Sequence, residues 1–148
     1  WTASGVCILD IKKINDQVSV SGQIQAQDVA AIKAAGFTAI VNNRPDGEAP
    51  DQPASAEIAA AAKAAGIDYY EIPMGREGVT PEMITATRQV FESHDGPVFC
   101  FCRSGTRSTT LWALSQAGER DSGEIVSSAA HAGYDISHLA AHLDKPLS

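Results

Sequence analysis

Two helical segments that end in the same four residues constrain the fold of this chain most. Residues 33–36 and 63–66 both read Lys-Ala-Ala-Gly, and a glycine at that place supplies the positive φ with which many helices end. Each ending is followed by an apolar stretch typical of a strand, at residues 37–41 and 67–72. Helices that alternate with strands predict an α/β fold with a mostly parallel central sheet and helices on both faces.

Local signals place the remaining elements around this repeat. Val18 and Val20 alternate with serines, as in a strand, and the apolar stretch at residues 6–14 is a candidate hairpin partner for it. Thr80 followed by Pro81 predicts the start of a helix. The other predicted elements are a strand at 98–102, a helix at 105–117, a capping box at 121–124 and a short helix at 136–143.

The size and charge of the chain limit what it can bind. Its 148 residues are the natural length of one domain, and we expect residues 1–148 to form a single domain. The formal net charge of −7 argues against nucleic acid or an anionic membrane as a partner. No apolar run approaches the ~20 residues that a membrane span requires.

The cysteines indicate a reducing compartment. Cys7, Cys100 and Cys102 are three in number, whereas a disulfide framework in a short chain usually has an even count. They lack the paired cysteine and histidine spacing of a structural zinc site, so no metal site is expected. Reduced thiols and a cytoplasmic location are the favoured interpretation.

The segment after the predicted strand at 98–102 carries the candidate chemistry. Cys102 is followed by Gly105, Arg107 and Ser108 at the start of a predicted helix. Backbone amides, the helix end and a nearby arginine all favour a thiolate over a thiol and can hold an anionic group beside it. Cys100, flanked by two phenylalanines, is interpreted instead as a buried hydrophobic residue.

Each residue of this loop has a candidate role in binding an anion. Gly105 lets the backbone pass close to a bound group, and the planar fork of Arg107 suits two oxygens of a phosphate-like anion. Arg103 points either to substrate or to solvent. The hydroxyl of Ser108 could donate to the thiolate, or it could be an ordinary serine at a helix start. Ser104 and Thr106 complete the anion-binding segment.

Ligands of parallel sheets bind beyond the carboxyl ends of the strands. The loops after Val41, Ile72 and Cys102 should therefore converge on one site. Arg44, in the first of these loops, could contact the same anion or simply hold an acid of its own turn.

The pattern Cys102-x-x-Gly105 followed by Arg107-Ser108 resembles the signature loop of cysteine-dependent protein phosphatases. Residues 20–23, 40–48 and 70–73 resemble successive landmarks of the dual-specificity branch. Most closely, the chain resembles the bacterial phosphatase-like domain of beta-lactamase hydrolase-like proteins, a group also labelled a sulfur transferase family. The resemblance implies a cysteine-phosphatase-like fold, Cys102 as nucleophile and Arg107 as oxyanion ligand. It implies no cofactor.

Two departures from the phosphatase pattern leave alternatives open. Four residues separate Cys102 from Arg107, one fewer than in the phosphatase signature and equal to the spacing in rhodanese-type sulfurtransferases. The loop after the third core strand contains no aspartate to act as general acid. Glu77 or Asp46 could serve as the catalytic acid, although neither position matches cleanly. Without an aligned acid, a phosphatase should be slow or confined to activated leaving groups.

Three functions follow from these residues. The first is hydrolysis of phosphate monoesters through a phosphocysteine, with a phosphorylated protein or a small-molecule phosphate ester as substrate. The second is transfer of a sulfane sulfur as a persulfide on Cys102. The third is a non-catalytic module that binds anions. The resemblance in fold favours the first, and the sequence leaves the oligomeric state open.

Overall fold

The computed structural model describes residues 11–48, 50, 52, 54–75, 78–94, 96–103, 105–117 and 121–139. Three residues named above, Cys7, Glu77 and Ser104, lie outside these ranges. The same holds for residues 6–10 of the predicted hairpin partner and for residues 140–143 of the last predicted helix. The part of that segment that is described contains a short 3-10 helix, Ser137–Leu139.

A mostly parallel sheet lies at the centre of the described chain. The strands are β1 Lys12–Lys13, β2 Val18–Ser21, β3 Ala39–Asn42, β4 Asp68–Glu71 and β5 Val98–Phe101. In spatial order they run β1, β2, β5, β3, β4. The β1–β2 pair is antiparallel, which confirms the predicted hairpin for Lys12 and Lys13 of the segment 6–14, and the other three pairs are parallel.

Helices connect the parallel strands and begin and end where the local sequence indicates. Thr80 Oγ1 accepts a hydrogen bond from the amide of Met83 at 3.2 Å, and Gly66 ends its helix with a φ of 78°. The helices are α1 Val29–Ala34, α2 Ser55–Ala65, α3 Pro81–Ser93, α4 Thr106–Ser115 and α5 Ser122–His131, with a 3-10 turn at Ala26–Asp28 before α1.

Two apolar clusters cover the two faces of the sheet, because alternate side chains of a strand point to opposite faces. Phe99 and Phe101 pack with residues of α1 and α2. Val98 and Cys100 pack with residues of α3, α4 and α5. The predicted α/β architecture with helices on both faces is therefore confirmed, and so is the burial of Cys100, which is 2 % exposed.

Two predicted strands have wrong boundaries. The segment predicted at 37–41 forms a strand at Ala39–Asn42, which starts two residues later and ends one residue later than predicted; pairing with Val98 of β5 begins at Ala39. Phe37 lies before the strand and packs its ring edge-on against Phe99, with 5.4 Å between the ring centroids. β4 is likewise shorter by one residue at each end than the predicted 67–72. Hydrophobic residues continue beyond the paired backbone, so composition alone overestimates strand length.

Within the described residues, none of the helices is long and apolar enough to cross a membrane.

Candidate active site

Three loops meet at the carboxyl ends of the central strands, as predicted, and Asn43 joins them. Its amide donates to the carbonyl of Phe101 at 2.8 Å, and its side-chain Nδ2 donates to the carbonyl of Ile72 at 2.9 Å. Its own carbonyl accepts from the amide of Met74 at 3.0 Å. Since Asn43 is 1 % exposed, these bonds fix the relative positions of the loops after β3, β4 and β5.

Cys102 lies directly after β5, at the entrance to the loop that begins α4. Its amide donates to the carbonyl of Ser21 at 3.3 Å, which extends the pairing with β2 by one residue. Its Sγ accepts a hydrogen bond from the amide of Gly105 at 3.0 Å. The side chain is fully buried, and among the described residues the amide of Gly105 is a polar partner of its sulfur.

Gly105 is required at this place for two separate reasons. Its φ of 92° lies in the left-handed region, which favours glycine. A β-carbon here would also collide with the side chain of Tyr134, with the ring Cζ only 2.9 Å away. The residue is the N-cap of α4, and its carbonyl accepts from both the amide and the hydroxyl of Thr109. The amide that contacts the sulfur therefore belongs to the N-cap residue of α4.

Arg107, in the first turn of α4, reaches across to the other two loops. Its Nη1 donates to the carbonyl of Met74 at 3.2 Å and lies 2.8 Å from Oε2 of Glu48. The side chain remains 29 % exposed. The arginine predicted to bind an anion is thus held by acceptors from the loops after β3 and β4.

Arg44 makes its side-chain contacts with Glu48 and Gln23 rather than with the described residues of the loop after β5. Its Nε donates to Oε1 of Glu48 at 3.0 Å, and its Nη1 donates to Oε1 of Gln23 at 3.0 Å. Of the two roles considered for Arg44, these contacts match the one in which it holds an acid of its own turn. That acid, Glu48, also contacts Arg107, so the carboxylate bridges two guanidinium groups.

Glu48 is a member of the site that the sequence motifs do not identify. The one local signal for it was its spacing of four residues from Arg44. Partial burial by itself would raise the pKa of Glu48, but hydrogen bonds and charge from Arg107 and Arg44 outweigh burial and hold that pKa below its ordinary value. The carboxylate is therefore ionised at neutral pH.

Asp46, the candidate for the catalytic acid in the loop after β3, has a structural partner. Its Oδ1 accepts from the amide of Ser55 at 2.8 Å, and its Oδ2 accepts from the hydroxyl of Ser55 at 2.7 Å. Ser55 is the first residue of α2, so Asp46 stabilises the free amides of that helix start. Glu77, the other residue considered as catalytic acid, lies outside the described residues.

An open cavity of about 460 Å³ lies beside these side chains. Charged groups of both signs face it, and no aromatic side chain contributes among the described residues. The residues that line it are Pro45, Asp46, Gly47, Glu48, Gly75, Arg103 and Arg107. Arg103 is exposed at this cavity, consistent with its predicted position facing substrate or solvent.

Thr106 and Ser108 differ in exposure although both lie in the first turn of α4. Thr106 is exposed, and its carbonyl accepts from the hydroxyl of Thr110 at 3.0 Å. Ser108 is 1 % exposed, and its hydroxyl has no hydrogen-bond partner among the described residues. The predicted bond from Ser108 to the sulfur is therefore not formed in this structure. In the same described part, no three histidine, cysteine or acidic side chains cluster as metal ligands.

Comparison with known proteins gives a consistent family match. Residues 10–119 match the model of the family described as "Beta-lactamase hydrolase-like protein, phosphatase-like domain". A beta-lactamase hydrolase-like protein of Agrobacterium fabrum is 41 % identical over 105 residues, which are 71 % of this chain and 24 % of that protein. The chain thus spans about a quarter of the length of that curated relative.

Solved structures share the fold. A "putative phosphatase" from Neisseria meningitidis superimposes with a TM-score of 0.77 and 29 % identity, covering 90 % of this chain and 96 % of that one. TpbA of P. aeruginosa, solved in complex with pTyr, gives a TM-score of 0.63 at 14 % identity, covering 93 % of this chain and 85 % of that chain. At that identity the second likeness concerns the fold alone.

Proposed function

Because the chain belongs to the phosphatase-like domain family of beta-lactamase hydrolase-like proteins, we propose that it hydrolyses phosphate monoesters with Cys102 as the nucleophile. The observation that carries this proposal is the hydrogen bond from the amide of Gly105 to Sγ of Cys102, 3.0 Å long, at the N-terminus of α4. A helix start and a backbone donor both stabilise negative charge on sulfur.

In the first step, the Cys102 thiolate attacks the phosphorus atom. A phosphorus–sulfur bond forms, the bond from phosphorus to the ester oxygen breaks, and the leaving oxygen takes a proton from a general acid or from solvent water. Backbone amides of residues 103–107 and the guanidinium of Arg107 bind the non-bridging oxygens, where charge concentrates in the transition state. Ser108, with its buried hydroxyl, is the proposed donor to the sulfur once it becomes a leaving group.

In the second step, water attacks the phosphocysteine. The phosphorus–sulfur bond breaks, inorganic phosphate leaves, and the sulfur returns as a thiolate. A general acid for the first step would act as the base that accepts the proton of water in the second.

Asp46 and Glu77 remain the proposed acids. Asp46 lines the cavity, but Ser55 already engages both of its carboxylate oxygens. As an acid it would have to release one of these bonds and gain a proton. We therefore expect leaving groups that need little protonation, such as phenols, to be strongly preferred.

The cavity supports a polar substrate. Arg103 and Arg107 lie on its wall together with Asp46 and Glu48, and its volume of about 460 Å³ exceeds what one phosphate group fills. A phosphorylated protein side chain or a small-molecule phosphate ester fits this description.

The spacing of the loop supports a second candidate, sulfur transfer. Four residues separate Cys102 from Arg107, as in rhodanese-type sulfurtransferases. In this reaction the thiolate attacks the sulfane sulfur of thiosulfate, the sulfur–sulfur bond breaks, and sulfite leaves. The persulfide on Cys102 then passes its outer sulfur to cyanide and regenerates the thiolate.

Mass spectrometry of the covalent intermediate distinguishes the two reactions. The protein is mixed with an aryl phosphate or with thiosulfate, quenched in acid and digested. A phosphoryl group on the peptide that contains Cys102 supports the proposal, and one added sulfur atom supports sulfur transfer. Cys100→Ser is the matched control, because it retains Cys102 and should give the same adduct. If neither reagent modifies Cys102, both enzymatic functions are refuted.

A further inference from the structure

We propose that Glu48 positions Arg107 for anion binding, with Arg44 as the fixed anchor of the pair. The inference rests on the proposed function only in taking Arg107 as an anion ligand. Three side chains carry it, two from the loop after β3 and one from the first turn of α4. Of these, only Arg107 needs to touch the substrate.

Arg44, the fixed anchor of the arrangement, is buried. The Arg44 side chain is 6 % exposed and is held at Nε by Glu48 and at Nη1 by Gln23, both at 3.0 Å. Its own amide donates to Oδ1 of Asn42 at the end of β3. Because a buried guanidinium requires a counter-charge, the carboxylate of Glu48 is fixed to the sheet through Arg44.

The other carboxylate oxygen of Glu48 holds Arg107. Nη1 of Arg107 lies 2.8 Å from Oε2 of Glu48 and 3.2 Å from the carbonyl of Met74. Two acceptors from different loops on one nitrogen define the orientation of the guanidinium plane. Nε and Nη2 make no hydrogen bond with another described residue, and together they form the edge that can bind two oxygens of one anion.

The neighbouring acid of the same loop shows that this arrangement is specific to Glu48. Asp46, two residues earlier, binds Ser55 and stabilises the start of α2. The amide of Glu48 is itself held by Oε1 of Gln52 at 3.0 Å. Two acids in one loop therefore have different roles, one at a helix start and one at the arginine.

The test measures anion binding rather than turnover. Affinity for inorganic phosphate is measured by calorimetry, and alkylation of Cys102 is followed with anionic iodoacetate and with neutral iodoacetamide. We expect Glu48→Gln to weaken phosphate binding between about ten- and a hundredfold and to slow the iodoacetate reaction with little change for iodoacetamide. Glu82→Gln, in the first turn of α3, is the matched control and should change neither.

A double-mutant cycle isolates the route of the effect. If Glu48 acts through Arg107, Glu48→Gln should have no further effect on phosphate affinity in the Arg107→Ala background. Thermal unfolding of each variant checks the fold. Should Glu48→Gln fail to fold, Glu48→Asp carries the test, because it keeps the charge but withdraws the carboxylate by one methylene. It should weaken phosphate binding relative to the unsubstituted protein.

Phosphate binding that is unchanged in Glu48→Gln would overturn the proposal. Tighter binding would also overturn it, because it would show that the carboxylate competes with phosphate for Arg107. An additive effect in the Arg107→Ala background would overturn it as well. A protein that binds phosphate as described but forms no phosphocysteine would refute the proposed phosphatase and leave the role of Glu48 intact.

Discussion

Cys100 and Cys102 are separated by one residue, both are buried, and the structure gives them opposite surroundings. Cys100 is 2 % exposed and lies within β5 between Val20 and Val41 on the neighbouring strands. Cys102 is fully buried and lies just after the strand, where the amide of Gly105 points at its sulfur. Exposure therefore does not distinguish a structural cysteine from a candidate nucleophile. The presence of a donor aimed at the sulfur does.

The surroundings of Cys100 oppose ionisation. Burial raises the pKa of the Cys100 thiol far above its ordinary value, and the neighbouring Cys102 raises it further. Apolar side chains on the face of α3, α4 and α5 supply no group to stabilise a thiolate. The contrast thus predicts different outcomes for the same substitution at the two positions.

The largest expected effect is that of Cys102→Ser. The change is nearly isosteric but removes the thiolate, so turnover and covalent adduct should both disappear while the fold remains. Cys100→Ser, the paired substitution, should keep both. Steady-state assays of an aryl phosphate and of thiosulfate with each variant make the comparison, and activity retained in Cys102→Ser would end the distinction between the two cysteines.

Arg107→Lys should have the next largest effect, a loss of about a hundredfold or more in kcat/KM. Lysine keeps the charge but cannot form two parallel bonds to an oxyanion. Arg103→Ala removes an exposed arginine from the cavity wall and should cost less. The reverse order of these two losses would assign anion binding to Arg103.

Cys100→Ser should lower the free energy of unfolding by about 1–3 kcal/mol, because it places a hydroxyl among apolar side chains. Denaturant unfolding of the two serine variants measures the difference. We expect a smaller loss for Cys102→Ser, since Gly105 can donate to the hydroxyl oxygen. Equal losses in the free energy of unfolding would mean that a hydroxyl costs the same at both positions, which would contradict the contrast between them.

The pH dependence of the free energy of unfolding should include a contribution from the ionisation of Cys100. The pKa of Cys100 is raised in the folded state. Its contribution to the stability of the fold is therefore fully present below the ordinary thiol pKa of about 8.5. Above that pH the unfolded chain loses a proton that the folded chain keeps, and stability falls. In Cys100→Ser this part of the decline in stability should be absent. Denaturant unfolding of both proteins between about pH 8 and 10, the range in which a free thiol ionises, measures the difference.

Asp46→Asn should have the smallest effect on turnover if the acid acts elsewhere. Loss of the charge at the start of α2 should lower stability by about 1 kcal/mol. An unchanged dependence of rate on leaving group, for both Asp46→Asn and Glu77→Gln, would show that neither acid protonates the leaving group. A steeper dependence in either variant would identify that residue as the acid.

Much of this arrangement is encoded in local sequence. The strand that ends at Phe101, the glycine at 105 and the helix start at Thr106 each depend on residues close in the chain, so the sequence predicts a strand, a loop and a helix around Cys102. The strand predicted at 98–102 ends one residue earlier, and Cys102 lies just after it. The repeated Lys-Ala-Ala-Gly endings likewise predict the α/β alternation, because helix endings depend on a few neighbouring residues. The roles of Arg107 and Ser108 in chemistry remain proposals.

The partners of the charged side chains were decided by tertiary structure alone. From the sequence alone, Glu48 resembles a solvent-exposed loop acid. Its carboxylate lies between Arg44 and Arg107 because the fold brings the loop after β3 beside the loop after β5. Asp46 is engaged by Ser55, nine residues away. Sequence spacing specifies which residues share a helix or a strand end. Side chains contributed by different loops find their partners only when the order of strands in the sheet brings those loops together, and that order is a property of the whole packed core.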